Sequence, residues 1–260
     1  MSRRRTNISV MTTVVAASLV GSIVATRAAE LTFFCPGALQ SSAEELLPEF
    51  QKSTGHNVKA IFTSPGLTTR RVRNGEVADL AIVLPQQWED LKSEGKLDPT
   101  VRVVIAKVGV GVFVKKGTAK PDISSVDAFK RALLNAKSIA LADPAAGGPV
   151  GIYAAALMER LGISAELKPK IKLVGGGVAP VEPVLKGDTE IGLTTISEIM
   201  QSQPAIELVG PLPPEIQTFL TWTAAIPANA REPAAAKALL DFFTTPRAIS
   251  ILKAKGLEPG

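Results

Sequence analysis

The strongest constraint on the fold is a pattern that runs twice along the chain: helix, glycine, acidic residue, apolar strand, polar loop, helix. In the first half Gly75-Glu76 leads into Asp79-Leu80-Ala81-Ile82; in the second, Gly187-Asp188 leads into Glu190-Ile191-Gly192-Leu193. Short apolar runs alternating with amphipathic stretches define an α/β protein. Strands are predicted at 31–35, 57–62, 80–84, 107–115, 138–142, 172–174, 191–194 and 219–226. Helices are predicted at 42–53, 67–74, 87–93, 125–134, 150–161, 179–185, 197–201, 232–243 and 246–254, with Gly75, Gly95, Gly162 and Gly187 as stops. If the last helices pack back on the first half, the chain crosses between two lobes twice, near 109–115 and 219–226. The expected division is lobe 1 from 30–110 plus 226–260 and lobe 2 from 111–225. Two α/β lobes joined by two crossover strands leave a cleft between them and can close by hinge motion.

The first 29 residues stand apart. Arg3, Arg4, Arg5 and Arg27 precede any acidic residue, and Ile8 to Val24 is an uncharged run of 17 residues. With small residues at its exit, the segment is expected to be an export signal cleaved near Ala28 or Ala29. An uncleaved anchor is the alternative, disfavoured by the five Ser or Thr inside the run. Of the formal charge of +5, the remaining body keeps only +1, from 25 basic and 24 acidic side chains. It has no polybasic block, so nucleic acid is not an expected partner.

One Cys and one His leave no material for a disulfide or a multi-ligand transition-metal site. No nucleophile elbow, P-loop or zinc-protease motif is present, and Cys35 with His56 is the sole nucleophile–base pair to weigh. The expectation is a non-enzymatic protein with no cofactor. Cys35 is expected as a buried hydrophobe and His56 as a helix-end residue.

In such a cleft, loops at strand ends present glycines, hydroxyls and helix N-termini. Four loops qualify: 35–38 with Ser41 and Ser42, 63–66 with Thr68 and Thr69, 143–151, and 175–178. Thr194 and Thr195 end the strand before another helix. Each loop could serve only as a connector or cap; together they suit a small anion held by neutral dipoles. Arg70 and Arg71, just after Ser64-Pro65-Gly66, could instead grip a carboxylate or simply be solvated.

Stretches LTFFCPGALQSSAEELLPEFQKSTGHNV, RRVRNGEVADLAIVLPQQWEDLKSEGKL, ADPAAGGPVGIYAAALMERLGI and KALLDFFTTPRAISILKAKGL resemble the periplasmic molybdate-binding proteins of ABC importers and their wider solute-binding relatives. Pro149-x-Gly151-x-Tyr153 is the most specific piece. The resemblance spans about 31–257 and implies a type II periplasmic binding fold, a periplasmic location, a monomer, an ABC permease as partner and a small anionic ligand. In that family hydroxyls and backbone amides hold a tetrahedral oxyanion, with no metal cation. Carried across, the first serine falls on Ala38, the second on Ser64, Pro65 or Gly66, one backbone donor on Val150, another on Gly177 or Val178, and the tyrosine on Thr195. Gly37 and Thr194 flank these positions. Ala38 and Thr195 depart from the pattern and remove two donors, so the expected ligand is a molybdate-like oxyanion or a small organic carboxylate. A ligand sensor signalling to a membrane receptor is the alternative role.

Overall fold

A computed structural model describes residues 28–260 apart from Gly147, Gly176 and Gly177. The predicted export signal, residues 1–27 of it, lies outside the described residues. The elements are β1 (Glu30–Pro36), α1 (Gln40–Thr54), β2 (Asn57–Thr63), α2 (Pro65–Arg73), β3 (Leu80–Val83), α3 (Pro85–Ser93), β4 (Val103–Lys115), α4 (Val126–Asn135), β5 (Ile139–Ala142) and α5 (Pro149–Arg160). They continue as α6 (Ser164–Leu167), β6 (Ile171–Val174), α7 (Val181–Lys186), β7 (Ile191–Thr195), α8 (Ile196–Gln201), β8 (Ile206–Pro211), β9 (Phe219–Ala225), α9 (Pro233–Phe243), α10 (Pro246–Ala254) and β10 (Glu258–Pro259).

The strands run in the order β2-β1-β3-β9-β4-β7-β5-β6, with β8 and β10 also paired to β4. β4 is the axis of the molecule. Its residues 103–109 pair antiparallel with β9, and 110–114 pair antiparallel with β7. On either side the strands beyond are parallel: β1 with β2 and β3, and β5 with β6 and β7. Each βαβ unit therefore aims the C-terminal ends of its strands, and the loops after them, toward the junction.

Where β4 changes partner, a side chain replaces the strand. The Gln217 carboxamide accepts from the Val110 amide at 3.1 Å and donates to the Val110 carbonyl at 3.0 Å. The Tyr153 hydroxyl donates to the neighbouring Ile216 carbonyl. One α5 residue and one linker residue thus fix the return crossing.

Burial follows the apolar pattern. Phe33, Leu46, Phe50, Leu239 and Phe243 fill one side of the first half, with the Phe33 and Phe243 rings 5.9 Å apart. Trp88, Phe34 and Leu91 fill the other, and the Trp88 indole donates to the Val101 carbonyl at 3.1 Å. Phe129, Leu141, Leu157 and Leu193 form the core under the second half. The C-terminal helices do return: α9 and α10 both pack on α1.

The differences from the predicted elements have one recurrent cause. Helices α2, α3 and α5 begin at Pro65, Pro85 and Pro149, ahead of the predicted starts, because proline is tolerated at the first helical position, where its missing N–H costs nothing. Strand β8 was not predicted; Pro204, Pro211, Pro213 and Pro214 crowd it, yet it lies at an edge, paired only with β4, where proline is permitted. β4 starts at Val103 rather than at 107.

Candidate functional site

Loops from both halves meet in an inner cavity of about 30 Å³. That exceeds the roughly 10–15 Å³ a single water needs, so the space suits only something small. The first half contributes Gly37 and Ala38 after β1, and Thr63, Ser64 and Pro65 after β2. The second contributes Ala142 after β5, Gly148 to Val150 at the start of α5, and Thr194, Thr195 and Glu198 where β7 passes into α8. Leu220 and Trp222 of β9 close the remaining wall.

Each polar group has a local reason for its place. Ser64 caps α2, its hydroxyl accepting from the Leu67 amide at 3.3 Å, and also donates to the Ala146 carbonyl across the junction at 3.4 Å. Val150 is the second residue of α5, so its amide is among those an α-helix cannot satisfy internally. Thr195 caps α8, with its hydroxyl accepting from the Glu198 amide at 3.4 Å and the Glu198 carboxyl accepting from the Thr195 amide. The Thr194 hydroxyl also donates to Glu198. Trp222 is only 2% exposed, and among the described residues its indole N–H has no hydrogen-bond partner; the Thr63 hydroxyl is likewise buried and unpartnered there. Buried polar groups of this kind call for a partner. No Lys, Arg or His lines the inner cavity among the described residues.

A second, wider space of about 450 Å³ adjoins it and shares Gly37, Thr63 and Ser64 as a wall. Gln40, Leu67, Arg70, Ala146 and Val178 complete it. Of the residues singled out in the sequence, Gly37, Ala38, Ser64, Pro65, Val150, Thr194 and Thr195 line the inner cavity, while Arg70 and Val178 line the outer one. Gly66 sits in the first turn of α2, half-buried, and lines neither. Gly177 lies outside the described residues. Arg71 turns away: its guanidinium stands over the Phe34 ring at 5.4 Å and pairs with Glu76 at 3.5 Å.

Cys35 and His56 occupy opposite ends of the β1–β2 pair, where Cys35 lies beside Phe62 and Asn57 beside Glu30. Burial, and then the charge of Glu44, push the Cys35 thiol well above its ordinary range. Such a thiol is a poor nucleophile. His56 instead accepts the Ala29 amide on its Nδ1 at 3.1 Å. Thr63 belongs to the 63–66 loop expected at the cleft, whereas Glu198 was not singled out from the sequence. The Thr195-x-x-Glu198 spacing is a capping box and signals a helix start; nothing local signals that its carboxyl will be only 5% exposed in a cavity wall.

With this geometry in place, similarity to known proteins is informative. Residues 31–258 match the bacterial extracellular solute-binding protein family. An aconitate isomerase of a Pseudomonas species is 26% identical over 239 residues, covering 88% of this chain and 87% of that protein. The molybdate-binding protein ModA of Escherichia coli K12 is 26% identical over 233 residues, covering 87% and 88%. The structure of the Azotobacter vinelandii periplasmic molybdate-binding protein superposes with a TM-score of 0.75 at 21% identity, over 88% of this chain and 99% of that one. That likeness establishes the mixed α/β periplasmic binding fold expected from the sequence.

Proposed function

Because the chain belongs to the bacterial extracellular solute-binding proteins, a family whose members bind small ligands and pair with ABC permeases, we propose that it captures a small oxyanion in the inner cavity and hands it to such a permease. The observation that carries the ligand class is the donor set. Thr63 and Trp222, whose buried hydroxyl and indole N–H lack a partner among the described residues, line one small space with Val150 at the first turn of α5 and with Ser64, Thr194 and Thr195, and no cationic side chain lines it among the described residues. Neutral dipoles of this kind stabilise an anion without a counter-charge. Capture proceeds as the two halves close on the ligand about the Gln217 contact, and Ser64 to Ala146 is the bond made across the junction. The chain acts as a monomer and performs no chemistry on what it binds.

A small organic carboxylate is the second reading, favoured by Arg70 and Gln40 in the outer space. A carboxylate head among the hydroxyls would leave a tail reaching the guanidinium, where bidentate pairing is available.

A thermal-shift panel of molybdate, tungstate, sulfate, fumarate and cis-aconitate tests both. Ligand at about 100 times its dissociation constant adds roughly 2.7 kcal/mol, a readily visible shift. Molybdate and tungstate alone are expected to act; a shift with carboxylates alone, abolished by Arg70→Ala, gives the second reading, and a silent panel overturns both. The NMR spectrum of cis-aconitate left with the protein is expected to stay unchanged, and appearance of its isomer would overturn the non-catalytic role.

The chain is proposed to reach the periplasm with its first 28 residues removed. Ala29 belongs to the folded body: it is buried, its amide donates to His56 and its carbonyl accepts from the Asn57 amide at 2.8 Å. The intact mass of the exported protein should correspond to a chain starting at Ala29. A mass retaining the first 28 residues would contradict removal.

A further inference from the structure

Among the described residues, Glu198 is the one ionisable side chain in the wall of the inner cavity, and the capture just described makes no use of it. It is 5% exposed and, among the described residues, held in place by neutral groups: the Thr194 hydroxyl donates to its Oε2 and the Thr195 amide reaches the same oxygen at 3.4 Å. α8 packs against β4, β7, β8 and the turn at 37–39. The ionisable side chains on those elements stand elsewhere. Lys107 and Lys115 are exposed on β4, and Glu207 of β8 pairs with Lys120 at 2.9 Å; β7 and the turn carry none. Gly256, after α10, approaches Met200 and Ile196 of α8, and its neighbour Lys255 pairs with Glu45 at 3.1 Å. Among the described residues, no cation is therefore placed to neutralise Glu198.

An anion entering this cavity meets a carboxyl that burial already pushes up from its ordinary range, against the lowering effect of Thr194 and Thr195. Two like charges a few ångströms apart in such a place lower affinity by roughly a hundredfold. A proton removes the conflict. It also turns the Glu198–Thr194 contact around: a neutral carboxyl donates to the Thr194 oxygen, and the Thr194 hydrogen is released toward the ligand.

We propose that the protein captures its anion together with one proton, held by the Glu198 carboxyl and relayed through Thr194, so that Glu198 sets which charge state of the complex forms. This rests on the anion reading of the cavity. The proton comes from solvent, no bond other than O–H is made or broken, and a ligand that already carries an acidic proton can supply it.

The test is the dissociation constant of wild type and Glu198→Gln near pH 6 and near pH 8, by calorimetry, with molybdate, sulfate and fumarate as probes, none of which changes protonation in that interval. Glutamine is the permanent stand-in for the neutral acid, and it also satisfies the capping box, so the helix start is retained. Wild type is expected to bind more weakly at the higher pH, approaching tenfold per unit where the free protein is ionised and the complex is not. The variant is expected to bind equally at both and to match wild type near pH 6. Repeating one titration in two buffers of different ionisation heat should show one proton taken up per anion by wild type and none by the variant. Binding that is flat with pH in wild type, or equally steep in the variant, overturns the proposal and leaves the anion site standing. Absence of binding by every probe overturns the anion site itself and the proposal with it.

Discussion

Asp79→Ala is expected to cost about 3–5 kcal/mol of folding stability, because it leaves several buried backbone amides without an acceptor. Asp79 is 2% exposed, yet it has no cationic partner among the described residues; its carboxylate is satisfied by backbone. Oδ2 accepts from the Thr32 amide at 2.8 Å, and Oδ1 accepts from the Arg231 and Glu232 amides at 2.8 and 2.9 Å. Those three donors belong to β1 and to the entry of α9, which the chain reaches 152 residues later. Asp79 is thus the stitch that fastens the returning C-terminal segment to the first half. Alanine leaves three amides without an acceptor, each costing roughly 1–3 kcal/mol where it stays buried. Asparagine retains one acceptor oxygen and should fall between alanine and the parent. Urea denaturation midpoints decide it, and an alanine variant within about 0.5 kcal/mol of the parent would mean that α9 is held by apolar packing alone.

Gly151→Ala should be nearly as damaging, and should also weaken the ligand site. An added Cβ there would lie 2.0 Å from the Ala142 carbonyl oxygen and 2.8 Å from its carbon, so the clash is with backbone that has nowhere to rotate. Helix α5 has to back away from β5. Overpacking of this sort costs typically 1–3 kcal/mol. The consequence for function is direct, because Ala142 at the end of β5 and Val150 at the start of α5 both line the inner cavity. Shifting one against the other moves a donor out of register, and anion affinity is expected to drop at least tenfold at temperatures where the variant is still folded. Gly210→Ala is the control, since its Cβ meets nothing closer than Ile123 Cδ1 at 3.5 Å. Equal binding by the Gly151 and Gly210 variants would sever this motif from the site. The close approach of α5 to β5 is the physical reason for the middle residue of Pro149-x-Gly151-x-Tyr153, and the Tyr153 bond to Ile216 is the reason for the last.

These two residues also show what could and could not be read from the chain. Alternation of apolar runs with glycine-stopped helices places nearly every strand, because burial on both faces of a parallel sheet leaves four or five consecutive apolar residues, as in Leu80–Val83 and Ile139–Ala142. The glycine- and hydroxyl-rich loops at their ends are visible for the same reason. What lies hidden depends on distant partners. Asp79 reads as an ordinary acid before a strand, and only the return of residues 231–232 gives it three amides to hold. Glu198 reads as a capping-box residue, and only the meeting of two halves buries it in a cavity wall. Arg70 and Arg71 look equivalent in sequence, but one step along a helix is a turn of about 100°. That rotation sends Arg70 to the outer space and Arg71 onto Phe34. The β8 strand escapes because its prolines are those of a loop until an edge position is known.

The central claim is that a small anion sits between the two halves, against β9. Trp222 reports on it directly, being in the cavity wall with a buried indole N–H that has no partner among the described residues. Titrating molybdate, and then fumarate, into wild type and into Trp222→Phe while following tryptophan emission separates the cavity from every other place an anion could bind, because the remaining Trp88 is sealed in the core against Val101. A saturable change in wild-type emission that vanishes in the phenylalanine variant is the predicted result. Calorimetric binding of either anion with emission unchanged in wild type would place the ligand somewhere else and contradict the account.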